Sequence, residues 1–261
     1  MELIDTHAHL GDPQFARDRQ EVLARAARSG VTRVIEIADS PAEWDAAVAF
    51  ARANPQQVRC ALGLHPYHAS EFSEELLARL KARAQDAEVV AIGEVGLDYA
   101  KSDIPGAVQR AVLERMLSAC RQWDMPAVIH CREAYEDLEA ILRNLYKAPP
   151  RDHRFWGVVH CFSGDAQDAV LCASLGFALG VDGPVTYPKN GGLREAFRAA
   201  GASSLVLETD SPYLPPQSSR GKRNEPAAIR EIAGKIAEVL GLPFEEASRA
   251  TTENARALFK L

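Results

Sequence analysis

The sequence predicts an α/β fold, a (β/α)8 TIM barrel, on three observations. Eight short runs rich in Val, Ile, Leu and Ala alternate with segments whose apolar residues recur at helical spacing. The length, 261 residues, suits one barrel, and no linker or internal repeat marks a boundary, so residues 1–261 read as a single domain. Six of the eight runs end in His, Glu or Asp, at the end of parallel strands where barrels build their sites.

The first run, Glu2 to Leu10, ends in His7-Ala-His9. Strand alternation puts both imidazoles on one face, where they can share a cation. After Gly11-Asp12-Pro13, residues 16–29 carry Val22, Leu23, Ala26 and Ala27 at helical spacing and stop at Gly30. The second strand is Arg33 to Ile37. Ser40-Pro41 reads as the cap and first position of a helix reaching Ala53. The third strand, Val58 to Leu64, ends at His65, and Ser73 opens a helix to Ala84.

The fourth strand, Val89 to Gly93, delivers Glu94, with Val95 to Tyr99 read as a loop. A long helix from Ala107 to Trp123 follows. The fifth strand, Pro126 to Ile129, ends at His130 with Arg132 beyond, and a helix spans Ala134 to Tyr146. After the loop Pro149 to Arg154, the sixth strand, Trp156 to Val159, ends at His160. Residues 165–175 form a helix, Phe177 to Val181 the seventh strand, and Leu193 to Ala199 a short helix. The eighth strand, Ser204 to Glu208, delivers Asp210, and helices over 225–240 and 244–259 close the chain.

Composition narrows the function. A net charge of −6 argues against the broad basic surface that grips long duplexes, though not against a small phosphate site. Five cysteines without a CxxC spacing predict reduced thiols and a cytoplasmic protein. Cys131 and Cys161, each directly after a ligand-type histidine, are expected to turn to the opposite face as buried small hydrophobes. No run is long and apolar enough to span a bilayer, no room for a signal peptide precedes the first strand, and nothing points to an obligate protein partner.

His7, His9, His65, Glu94, His130, His160 and Asp210 thus converge at one mouth. That is more than one tetrahedral ion uses, so two divalent ions are expected. Glu94 is the natural bridge, with His7, His9 and Asp210 on one ion and His130 and His160 on the other. Zinc, manganese and magnesium all suit this donor set. Asp210, beside a shared water, is the candidate general base.

The segments Asp5-Thr-His7-Ala-His9-Leu10, Gly63-Leu-His65-Pro66, Ala91 to Tyr99, Ile129-His130-Cys-Arg132, His160-Cys-Phe-Ser-Gly164, Glu208-Thr-Asp210-Ser-Pro-Tyr213-Leu and Arg220 to Pro226 run in order from end to end. Together they resemble the TatD-type metal-dependent deoxyribonucleases of the amidohydrolase superfamily. Cys131-Arg132-Glu133-Ala134 stands where that family more often has Ser-Arg-Asp-Ala. The resemblance implies the barrel, the divalent ions and the same ligand roles, with His65 contacting the scissile phosphate. It also implies a hydrolase cleaving DNA phosphodiesters, a 3′-to-5′ exonuclease acting on single strands or 3′ ends. The alternative is a dinuclear hydrolase opening an amide, lactone or ester.

Arg132 is placed to hold phosphate oxygens, or else to pair with Asp98 or Glu133. Arg220, Lys222 and Arg223 follow the eighth strand and either overhang the site or form a solvated loop. Glu208, two residues before Asp210, faces the same side deeper in the barrel and is expected to support a ligand. Tyr67, Tyr99 and Tyr213 either stack on bases or pack at the rim. His68 and His153 read as surface residues.

Overall fold

In the computed structural model, which describes residues 2–147, 150 and 155–261, eight parallel strands stand side by side in chain order. They are β1 (Leu3–Ala8), β2 (Val31–Ala38), β3 (Val58–Leu62), β4 (Val89–Asp98), β5 (Ala127–Arg132), β6 (Gly157–Val159), β7 (Phe177–Val181) and β8 (Leu205–Leu207). The circle closes just beyond β8, where Asp210 N donates to His7 O at 2.9 Å and His9 N to Ser211 O at 2.7 Å. The α-helices among the described residues are α1 (Arg19–Arg28), α2 (Trp44–Ala53), α3 (Glu74–Arg83), α4 (Gly106–Trp123), α5 (Tyr135–Leu145), α6 (Ala166–Ser174), α7 (Gly191–Ala200), α8 (Ile229–Leu240) and α9 (Phe244–Phe259).

Two apolar cores follow from strand alternation. One side chain or more from each strand fills the lumen: Ile4, Ile35, Ile37, Ala61, Ala91, Val128, Val158, Ala178 and Val206. Ala255, Leu258 and Phe259 of α9 plug its lower end. Residues of opposite parity, such as Leu3, Val34 and Leu62, join the helices in the outer core. Above the lumen layer the same parity continues as Asp39, His65, His130, His160, Asp182, Glu208 and Asp210, so apolar packing below fixes polar side chains above.

Two strands break this parity. Between Asp5 and Ala8, β1 carries one residue more than its partner segment Val34 to Glu36, and between Gly93 and Val95, β4 carries one more than Val128 to Ile129. These bulges let His7 and Glu94, each three residues after a lumen side chain, reach the interior. Close packing fixes the second bulge: a Cβ on Gly63 would lie 2.3 Å from Gly93 C and 2.4 Å from Glu94 O.

Most elements lie within a few residues of where the sequence puts them, but several bounds differ: the fifth strand runs to Arg132 instead of ending at Ile129, and the helix read over 225–240 starts at Ile229. The fourth strand does not end at Gly93 but runs to Asp98, because the bulge restores its register with β5 and Gly96 leaves room for the His130 carbonyl. Ser40 is not a helix cap. Residues 40–43 form a turn, Glu43 N donating to Ser40 O at 3.0 Å, and α2 starts at Trp44. The first helix begins at Arg19, after a short 3-10 turn over Pro13–Phe15. Ser73 does cap α3, accepting from Leu76 N at 3.1 Å. Most of the loop Pro149 to Arg154, with His153, lies outside the described residues. Among the described residues no helix is long and apolar enough to cross a membrane.

Candidate metal centre

At the C-terminal mouth the predicted residues meet around Glu94, which is buried. Its Oε2 lies 3.3 Å from His7 Nε2. Its Oε1 lies 2.8 Å from His130 Nδ1, 3.0 Å from His160 Nε2 and 3.5 Å from His65 Nε2. Asp210 Oδ1 sits 3.4 Å from His9 Nε2 and 3.7 Å from His7 Nε2. All seven converging residues named from the sequence are therefore in one site.

The donor set fits divalent cations. Three groups have donor atoms within 4.8 Å of one another: His7, His9 and Glu94; His7, His160 and Asp210; His65, Glu94 and His130. His7 and His9 bring their Nε2 atoms to 3.3 Å, a pairing that suits lone pairs aimed at a common cation. The His7 ring stacks on His160 with centroids 3.7 Å apart, and its buried Nδ1 has no hydrogen-bond partner. Burial opposes charge on Glu94, yet the surrounding imidazoles, His160 foremost, hold its carboxyl well below the usual range. Burial likewise opposes a proton on His9, but Asp210 lifts it to about 9, and a cation can replace such a proton.

Two tautomers are fixed by neighbours. His130 Nε2 lies 3.1 Å from Asp98 Oδ2, a fully buried carboxylate, so this nitrogen donates and Nδ1 is the one that faces Glu94, where a cation can take the place of its proton. His65 Nδ1 accepts the Tyr67 backbone N–H at 3.2 Å, and burial lowers its pKa to about 3. The neutral ring therefore carries its proton on Nε2, which faces the centre as a donor.

Supporting groups surround these side chains. Glu208 accepts from Cys161 N at 2.5 Å and lies 3.5 Å from His160 Nδ1, as its parity predicts. Gly180 makes room for it. Asp98 also accepts from Arg132 Nη1 and Tyr67 OH, both at 3.1 Å, and from the Ala100 and Lys101 amides. Glu133 has no part in that pair. Asp5, raised by burial to about 8, binds Thr209 through Oγ1 at 2.6 Å and N at 2.9 Å, tying the two ends of the barrel together.

Sequence reasoning missed Asp39 and Asp182, which follow β2 and β7 at the parity that found the others. Asp39 lines the cavity over the centre. Asp182 is fully buried beside the Cys161 thiol, and burial raises its carboxyl to about 8. Glu36, also missed, accepts from Leu10 N at 2.6 Å and Gly11 N at 2.7 Å, shaping the loop after β1.

The cavity, about 740 Å³, is walled in part by Lys101, Arg132, Tyr67 and Tyr213. Cys161 lines it too, contrary to expectation, because β6 ends at Val159 and Cys161 has a φ of 45°, which breaks the alternation. Cys131 is buried as expected. Tyr99 instead donates to Asp137 at 2.6 Å outside the cavity, and His68 pairs with Glu71 on the surface.

Arg220, Lys222 and Arg223 are not among the described residues of the cavity wall. Arg220 lies over the Tyr187 ring at 4.3 Å. Arg223 binds Asp18 and Glu225 at 2.7 Å and covers Phe15, bracing the 220–225 segment against the start of α1.

The chain is similar to known proteins along its whole length. The family model for TatD related DNase matches residues 4–260. A Bacillus subtilis protein named uncharacterized metal-dependent hydrolase YabD is 36% identical over 99% of both chains. A 3′-5′ ssDNA/RNA exonuclease TatD of Pantoea vagans is 35% identical, covering 99% of this chain and 100% of that one. The crystal structure of the Escherichia coli TatD homolog YjjV superposes with a TM-score of 0.90 at 32% identity, over 99% of this chain and 98% of that one. A parallel barrel with this mouth and full-length likeness on all three counts places the chain in the TatD family of metal-dependent hydrolases.

Proposed function

We propose that the chain is a dinuclear 3′-to-5′ exonuclease acting on single-stranded DNA in the cytoplasm. The observation that carries the two-ion reading is the split environment of Glu94, one oxygen toward His7 and the other toward His130 and His160. A carboxylate so placed would serve two ions, one that His7, His9 and Asp210 would hold with it and one that His130 and His160 would hold. Zinc, manganese or magnesium suits these ligands. Bound there, divalent ions polarise a phosphodiester oxygen and make water nucleophilic at neutral pH.

The chain's own groups account for the rest. Asp210, kept ionised by His9 and its neighbours against the pull of burial, accepts the proton of the attacking water. His65, its Nε2 proton fixed by the Tyr67 amide, donates to a phosphate oxygen instead of ligating an ion. Arg132, one nitrogen anchored on Asp98, holds the phosphate with the others, and Lys101 adds positive charge beside it. As the water oxygen bonds to phosphorus, the bond from phosphorus to one sugar oxygen breaks and that oxygen takes up a proton. These two cations favour a phosphoester over a neutral amide or lactone. The names of relatives such as the Pantoea enzyme support nucleic acid as substrate and 3′-to-5′ polarity. Five unpaired thiols support a reducing compartment.

The test is hydrolysis of end-labelled single-stranded DNA by metal-depleted protein after adding Mg2+, Mn2+ or Zn2+, beside Asp210→Asn. Metal-dependent shortening from the 3′ end, absent in the variant, is expected. Loss from the 5′ end, internal cutting, or no cleavage by protein shown to hold metal would overturn the reading.

A further inference from the structure

The cavity over the metal centre extends past Asp39 to a flank between α1 and α2, where Arg19, Ala46 and Phe50 form its wall. The Arg19 guanidinium lies over the Phe50 ring, 5.0 Å from the centroid, and donates Nη2 to Gly11 O at 3.2 Å. Its Nε is buried without a hydrogen-bond partner. An aromatic ring capped by a guanidinium makes a flat platform for stacking.

The charge on this flank is the second feature. Asp39 and Glu43 put carboxylates on it, whereas Lys101 stands two strands and Arg132 three strands away around the barrel. Even with the Arg19 guanidinium on the first side, its two carboxylates leave that side acidic, and a phosphate is favoured on the second. A strand crossing the whole mouth would have to lay its phosphates against Asp39 and Glu43.

We propose that this flank is a subsite for the terminal nucleoside of a 3′-hydroxyl end. The base stacks against the platform that Phe50 and Arg19 form. The 3′-hydroxyl donates to a carboxylate of the flank, and the rest of the strand leaves over Arg132 and Lys101. Stacking tolerates every base, so the subsite selects a free end and not a sequence. The inference rests on the nuclease reading and adds the part of the site that recognises the end.

The test compares three 5′-labelled oligonucleotides of one sequence, ending in a 3′-hydroxyl nucleotide, a 3′-phosphate, or a 3′-terminal abasic residue. Cleavage is measured with metal-loaded protein, and binding by anisotropy with Asp210→Asn. The 3′-hydroxyl end is expected to be cleaved and bound at least tenfold better than the 3′-phosphate, and the abasic end to bind several-fold more weakly. Glu43→Gln with Asp39→Asn should narrow the phosphate discrimination. Ala46→Trp, at an exposed position that fills the flank, should raise KM for the base-bearing end at least tenfold and shrink its advantage over the abasic end. Val170→Trp, on the exposed face of α6, controls for a large surface residue. Equal handling of all three ends, or an Ala46→Trp variant that keeps the full advantage of the base-bearing end, would overturn the subsite. No cleavage of any end would overturn the nuclease reading and the subsite together.

Discussion

Asp98 offers the sharpest perturbation, because one buried carboxylate orients a candidate ligand and a candidate phosphate-binding group together. Its Oδ2 takes His130 Nε2, Arg132 Nη1 and Tyr67 OH, each at 3.1 Å, while Oδ1 takes the Ala100 amide at 3.0 Å and the Lys101 amide at 2.8 Å. Burial works against its charge, yet His130, the Lys101 amide and Arg132 hold its carboxyl below the usual range. Asp98→Asn can keep both amide contacts through its carbonyl, so the turn after β4 survives. Of the three donors on Oδ2 the Tyr67 hydroxyl can turn to accept from the new NH2, but His130 and Arg132 cannot, so two hydrogen bonds to a charged acceptor are lost, each worth about 1.5–3 kcal/mol. His130 loses the partner that fixes its tautomer, and losses at such positions lower metal affinity roughly 10- to 100-fold. Arg132 loses its anchor at the same time. The assay pairs calorimetric titration of metal-depleted protein with steady-state kinetics on single-stranded DNA. Weaker metal binding and a raised KM in one variant are expected. Metal affinity and KM both within about twofold of the parent would refute the reasoning.

Other consequences are as direct. Arg132→Ala removes a charge-assisted contact worth about 1.5–3 kcal/mol, so kcat/KM on DNA should fall roughly 10- to 100-fold with metal content unchanged; an equal fall on a neutral ester would contradict the phosphate role. Gly180→Ala would place a Cβ 2.3 Å from Glu208 Oε1. Overpacking there should lower Tm by roughly 2–10 °C and weaken metal binding through His160, and an unchanged melt would remove Glu208 from the account. Arg223→Gln should act on stability and not on KM. Arg223 and Arg25 hold the Asp18 carboxyl below its ordinary 3.8, and against the effect of burial they hold Glu225 below its ordinary 4.5. The unfolded chain therefore binds protons at higher pH than the native one, so this stabilisation is present above about pH 4.5 and is lost on acidification. Urea unfolding between pH 3 and 6 should show a shallower pH slope for the variant than for the parent, and identical slopes would dismiss the network.

The barrel and its ligands were legible because both rest on local pattern. Apolar runs of strand length alternate with helical periods, and a polar residue at the end of a strand stands out against the run before it. His65, His130, His160, Glu208 and Asp210 also keep the parity of the lumen residues below them, which a sequence shows directly. His7 and Glu94 do not keep it. They enter the site through bulges set by the neighbouring strands and by the close approach of Gly63, which no local pattern records. Cys161 was misplaced for the same reason, since its positive φ is a property of the turn. Asp39 and Asp182 were legible and overlooked: neither is a histidine, and both follow strands without a motif. The Arg223 clamp was out of reach because Asp18 lies 205 residues away in sequence.

A dinuclear centre requires Glu94 to serve two ions at once. The most direct measurement is anomalous scattering from a crystal of the protein grown with Mn2+. Two peaks should flank the Glu94 carboxylate about 3.5–4 Å apart, one beside His7, His9 and Asp210 and the other beside His130 and His160. A single peak, or peaks that leave Glu94 uncoordinated, would contradict it.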